Sequence, residues 1–148
     1  MKIVLAADHG GFELKEFIKE YLLVKNYEVV DEGTHEEVSV DYPEYAEKAA
    51  AKVLSKEADL GIIFCGTGIG ISIAANKVNG IRAALCHDIF TAKMSRMHNN
   101  ANILALGGRL LGKGIAIEIV ETFLKTEYEG GRHQNRLDKI TDIEKRCC

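Results

Sequence analysis

No run of residues in this chain is long and apolar enough to span a bilayer. Met1 leads straight into a strand-like stretch, so a secretory leader is not expected either. Excess charge is small: a formal net −3 over 148 residues offers no attraction to nucleic acid or to an anionic membrane. The four cysteines, Cys65, Cys86, Cys147 and Cys148, form no CxxC pair and have no ligand-like spacing to histidine. That argues against a metal site and for a reduced, cytoplasmic setting. Cys147 and Cys148 read as a solvated chain end. The glycine run GTGIG (66–70) is not the G-x-G-x-x-G dinucleotide fingerprint, and no Walker lysine follows it. A phosphatase loop needs an arginine six positions after its cysteine, where this chain has Ile71. Internal repeats, linkers and low-complexity segments are also missing.

What is present is one domain, residues 1–148, with 47% hydrophobic and 28% charged residues, ordinary values for a globular core and its surface. Strand and helix signals alternate. Strands are predicted over 2–7, 27–31, 60–64, 81–85 and 102–106. Leu14, Phe17, Ile18, Tyr21 and Leu22 recur at helical spacing after the first. Pro43 suits the first turn of a helix through Ala46, Ala50 and Leu54. Asp88 is a cap for a helix to about Met97, and a long helix from about Gly112 to Lys125 turns Ile115, Ile119, Val120 and Phe123 inward. Five strands, each followed by a helix, describe an α/β fold with a parallel sheet covered on both faces. A charged helical arm, about 128–148, arrives after the core is complete, either to close over the site or to reach a partner subunit.

In such sheets ligands sit outside the carboxyl ends of the strands. There the third strand stops at Cys65 and three glycines (Gly66, Gly68, Gly70) carry the backbone through Thr67 and Ile69 into a helix. A glycine loop opening a helix presents N–H groups to an anion, and it favours a thiolate at Cys65, a nucleophile or base. Asp8 and His9 end the first strand, although Asp is also a routine helix cap. Thr67 serves either the sulfur, a substrate oxygen or simple loop closure. His98 begins the run HNNAN (98–102), which is either a helix end or polar groups facing a ligand, since polar side chains entering an apolar strand are costly. Arg109, Arg132 and Arg136 are surface charges or an anion-binding set; the last two share a helical face. Tyr42 and His87 carry little weight. A thiolate base, an imidazole, an oxyanion loop and arginines suit proton transfer beside a carbonyl on a phosphorylated small molecule.

The motifs AADHGGFELK, DYPEYA, CGTGIGISIAANK, GIRAAL, HNNANILALGGR and YEGGRHQNR follow one another as in the type B ribose-5-phosphate isomerases, which the chain resembles from about residue 2 to residue 146. That family includes galactose-6-phosphate and allose-6-phosphate isomerases. The resemblance implies a Rossmann-like three-layer α-β-α sandwich, no metal or organic cofactor, and a dimer or tetramer whose sites are shared between subunits. It also implies roles. Cys65 matches the base at C2 of the open-chain sugar; some members use a glutamate where this chain has Ile71. His98 matches the acid that opens the furanose ring, with Asp8 at the anomeric hydroxyl. The backbone of Gly66, Thr67, Gly68, Ile69 and Gly70, with Asn99, would hold the enediolate, and Thr67 would orient the thiolate or the ring. His9, Arg109, Arg132 and Arg136 correspond to the phosphate-binding set. The implied reaction interconverts ribose 5-phosphate and ribulose 5-phosphate. A six-carbon sugar phosphate and a non-catalytic sugar-phosphate sensor are the rivals.

Overall fold

The computed structural model describes residues 1–147; Cys148, half of the terminal pair, lies outside them, and Cys147 is exposed. Five parallel strands, β1 (Lys2–Ala7), β2 (Glu28–Asp31), β3 (Leu60–Cys65), β4 (Ala83–Leu85) and β5 (Ile103–Gly107), lie in the order β2-β1-β3-β5-β4. Alternation along each strand decides which layer a side chain joins. Ile3, Leu5, Leu60, Ile62, Phe64, Leu104 and Leu106 face α1 (Phe12–Val24), α4 (Ile89–Met97) and α5 (Lys113–Lys125). Val4, Ala6, Ile63, Cys65, Ile103 and Ala105 face α2 (Tyr42–Leu54) and α3 (Ile69–Ala75). The second face is lined by Ala46, Ala49, Ala50 and Ala75, small side chains that let these helices lie close on the sheet. α6 (Arg132–Arg146) follows these layers.

The helix signals hold with local corrections. Pro43 sits in the first turn of α2, and the Asp88 side chain caps α4 by accepting the Thr91 amide at 2.7 Å. α5 turns Ala116, Ile119, Val120, Phe123 and Leu124 inward, whereas Ile115 is exposed, as is Leu54 on α2. The predicted strand over 81–85 shrinks to three residues because the Asn102 carboxamide takes the Arg82 amide at 2.8 Å and donates to the Gly80 carbonyl at 2.8 Å. A side chain thus replaces the start of the ladder. Helix α6 begins at Arg132, so the predicted arm is helical through its basic motif.

One charge is fully buried. Lys15 on α1 has no exposed surface and reaches Asp31 at the end of β2 at 2.8 Å and Glu16 at 2.6 Å; Lys19 meets Asp31 at 2.7 Å. Burial alone would push the Asp31 carboxyl up. The hydrogen bonds from Lys15, Lys19 and the Gly33 amide outweigh it and hold the group below the usual carboxylate range. The network locks α1 to the β2 edge. Lys15→Ala therefore costs about 3 kcal/mol, read as a lower urea midpoint at unchanged slope. A depressed folded pKa contributes stability above the unfolded value of about 4, lost as pH falls through the folded value; the variant loses part of this acid limb.

Candidate active site

β1, β3 and β5 end at one level, since Ala7 pairs with Phe64 and Cys65 with Gly107. After β1, the buried Asp8 accepts the Gly10 and Gly11 amides at 2.9 and 3.1 Å, closing a turn into α1. After β3, the Gly68 amide donates to the Cys65 sulfur at 3.1 Å. Gly68 holds φ at +77°, the left-handed region in which glycine carries no Cβ penalty. After β5, the Gly108 amide donates to the Cys65 carbonyl at 2.8 Å and the Arg109 amide to the Gly66 carbonyl at 3.0 Å. The three loops touch through their backbones: a Cβ on Gly108 would stand 2.6 Å from the Gly10 carbonyl oxygen. The Arg109 guanidinium lies over Gly66, bringing positive charge to the loop that flanks the sulfur.

Cys65 is 4% exposed and belongs to the α2/α3-facing cluster with Ile63 and Ile71. Ile71 is wholly buried there and packs as core. An amide aimed at the sulfur separates Cys65 from the other buried thiol. Cys86 lies on the opposite face, and burial pushes its thiol up, against weaker lowering by Thr91 and Ser95. Thr67 is exposed and accepts the Ile69 amide at 3.2 Å, the loop-closing role rather than a contact with the sulfur. The helix that follows, N-capped by Gly68, has only seven residues, so discrete N–H groups, not a long macrodipole, make this end electropositive. His9 accepts the Val40 amide at 3.2 Å and so ties down the loop before α2. Tyr42, given little weight from sequence, lies with its ring against Gly70; a Cβ there would come within 2.5 Å of it.

The remaining candidates lie at the other end of the sheet. α4 runs back along the sheet, and His98 is its C-cap, ahead of Asn102, whose carbonyl accepts from Gly61 at the amino end of β3. Cys65 pairs with Gly107 at the far end of β5, so the two levels are separated by the strand, on the order of 15 Å for five residues. α6 starts beside His98: the Glu129 amide donates to Met97 O at 3.0 Å, and the His133 ring stacks on that of His98 at 4.2 Å. At its far end Glu144 accepts the Gly80 amide. Arg132 and Arg136 are therefore exposed with Asn99 on the amino edge, not beside Arg109. Two of the polar residues in HNNAN need no ligand. Asn102 is paired as above, and Asn100 accepts from Arg82 and Arg96. His98 and Asn99 remain available.

The candidate residues thus fall into two groups: a thiol, a carboxylate and a glycine loop at the carboxyl end, and an imidazole with two arginines at the amino end. The arm does not close over its own Cys65. His98, Glu129 and His133 also bring three donor atoms within 4.8 Å of one another. The two imidazole planes differ by 14°, so their lone pairs run side by side and do not converge on one ion. Glu129 was not singled out from sequence. It precedes α6, beyond Gly130 and Gly131, so no helical spacing marks it; within the helix the spacing of four between His133 and the buried Leu137 marks the inner face.

Residues 3–140 match the family model for ribose/galactose isomerases. The chain is 49% identical to ribose-5-phosphate isomerase B of Escherichia coli over 145 residues, 98% of this chain and 97% of that protein. It is 52% identical over 147 residues to a putative sugar phosphate isomerase of Bacillus subtilis, with 99% of each covered. Among solved structures, ribose-5-phosphate isomerase B of Clostridium thermocellum superposes with a TM-score of 0.99 at 55% identity over the full length of both chains. The Mycoplasma genitalium enzyme, solved with bound ribulose 5-phosphate, gives 0.92 at 46% identity, covering 97% and 96%. No helix among the described residues is long and apolar enough to cross a membrane.

Gly68→Ala tests the loop. A Cβ at φ +77° would stand 2.9 Å from the Leu106 carbonyl carbon. The substitution costs at least ~1–2 kcal/mol for the backbone conformation alone, seen as a melting temperature lower by several degrees.

Proposed function

The chain belongs to the ribose/galactose isomerase family, and from that premise we propose that it interconverts ribose 5-phosphate and ribulose 5-phosphate in a site assembled from two copies of itself. The observation that carries the reading is the division of the chemistry between the two ends of the sheet. A proton-transfer half-site and a phosphate- and ring-handling half-site complete each other only when a partner's amino edge meets this chain's carboxyl edge. A two-fold dimer makes two such sites from the same pair of surfaces. The arm, over its described residues 128–147, belongs to that interface.

Arg132 and Arg136 of one copy, with His9 and Arg109 of the other, grip the phosphate; guanidinium groups meet its oxygens in a planar fork. That remote binding energy orients the sugar. His98 protonates the ring oxygen while the anomeric hydroxyl gives up its proton towards Asp8, and the C1–O4 bond breaks to the linear aldehyde. Cys65 takes the proton from C2. The C–H pair forms the C1–C2 double bond, and the carbonyl pair moves onto O1. The amides of the Gly66 to Gly70 loop other than those of Gly68 and Ile69, which go to Cys65 and Thr67, hold the developing enediolate together with Asn99 and the Arg109 charge. An anionic sulfur is the better acceptor for the Gly68 amide, so the donor that positions Cys65 also suits it to act as the base. The proton moves from O2 to O1 and Cys65 returns its proton to C1, giving ribulose 5-phosphate. A free thiol at this position suits the reducing cytoplasm.

Cys65→Ala abolishes isomerisation and leaves sugar-phosphate binding within a few-fold, measured by a coupled assay and by calorimetry. Near-normal turnover would remove Cys65 as the base. Ribose 5-phosphate outperforms allose 6-phosphate when the two are assayed side by side. Mixing inactive Cys65→Ala and His98→Ala chains under subunit exchange restores about a quarter of the wild-type activity, because half of the dimers are hybrids with one intact site of two. An absence of recovery would mean that the two residues act from the same chain.

A further inference from the structure

Behind His98 stands a pair of residues that the proposed chemistry does not use. His133, in the first turn of α6, lays its ring on that of His98 with centroids 4.2 Å apart and planes 14° from parallel. Its side chain is 6% exposed, and its Nε2 has no hydrogen-bond partner. Glu129 places one carboxylate oxygen, Oε2, 3.4 Å from His133 Nε2 and 3.9 Å from His98 Nε2. Its own amide is pinned to Met97 O at 3.0 Å, directly before His98. The segment that starts α6 is therefore registered on the end of α4, and the imidazole at that end is held between a buried ring and a carboxylate.

A buried imidazole with an unmatched nitrogen is a costly way to fill a helix contact, which an aliphatic side chain would fill without desolvating a polar atom. The stack has a second effect. A ring on a helix C-cap, one-third exposed, would otherwise turn about its terminal torsion, which is broad and roughly two-fold. Pressed on one face by His133, the His98 ring keeps one plane. Its Nε2 edge lies 3.9 Å from the Glu129 carboxylate, an ion-pair rather than a hydrogen-bond distance.

Resting on the reading of His98 as the ring-opening acid, we propose that His133 and Glu129 are positioning residues for it: His133 fixes the plane of the His98 ring by stacking, and Glu129 orients its Nε2 edge. Their work is confined to the furanose substrate, because ribulose 5-phosphate, with its 5-oxygen esterified, has no ring to open.

The test separates ring opening from enediolate chemistry. For the wild type and for His133→Ala, His133→Phe, Glu129→Gln and His98→Ala, turnover of ribose 5-phosphate is compared with solvent-deuterium exchange into C1 of ribulose 5-phosphate. His133→Ala is expected to lower kcat on ribose 5-phosphate about tenfold or more, part of the 10²–10⁴ that a general acid supplies, with KM within about twofold and C1 exchange kept. His133→Phe, which retains a flat ring against His98, recovers most of that loss. Glu129→Gln, at a half-exposed position, lowers kcat by roughly three- to tenfold with exchange kept. Equal loss of turnover and exchange, a rise in KM at unchanged kcat, or no effect in both His133→Ala and Glu129→Gln would overturn the proposal. His98→Ala tests the underlying reading separately: full turnover of ribose 5-phosphate, or exchange lost with it, would remove His98 as the ring-opening acid whatever the other variants do.

Discussion

The pairing of β3 with β5 is the constraint on which the arrangement depends. In a parallel sheet every strand points the same way, so all the loops that follow strands gather at one end and all the segments that precede them at the other. Register sets Cys65 opposite Gly107 and Gly61 opposite Ile103. The loop after Cys65 then meets the loop after Gly107 through backbone hydrogen bonds, and the sulfur, its amide donor and Arg109 follow. The same register sends HNNAN to the far end, because a helix between parallel strands must return along the sheet before the next strand begins. The separation between thiol and imidazole is thus a consequence of strand direction.

Burial is used in two opposite ways. Cys65 and Cys86 are both nearly inaccessible, one on each face of the sheet. Cys86 is surrounded by the α4 side of the core, where desolvation favours the neutral thiol. Cys65 stands at the last residue of its strand, where the chain turns left-handed at Gly68 and aims an N–H at the sulfur. Lys15 shows the structural use of a buried charge. Its ammonium is matched by carboxylates on both sides, and the result ties a helix to the sheet edge.

The amino edge shows polar groups sorted by partner. Asn102 and Asn100 are consumed in holding the start of β4 and the turn before β5, whereas His98 is held between His133 and Glu129, with Asn99 and the two arginines left at the surface. Four polar residues in a run of five had invited one explanation and need two. Thr67 likewise closes its own loop, and His9 anchors the segment ahead of α2.

The sequence alone determined the alternation of strands and helices, the parallel sheet, Pro43 in the first turn of α2 and the cap at Asp88, because periodicity and capping are local and each element carries its own signal. It also singled out the cysteine that ends β3 and the glycines that follow, since a strand stopping at such a loop is legible within eight residues. Family resemblance added the roles. Only the tertiary structure decided that His98, Asn99, Arg132 and Arg136 stand at the opposite end from Cys65, that Asn102 shortens β4, and that Glu129 and His133 flank the imidazole. Those facts depend on which strands pair and where α6 docks. Residues 20 to 71 positions apart meet, or fail to meet, through contacts that no local pattern records.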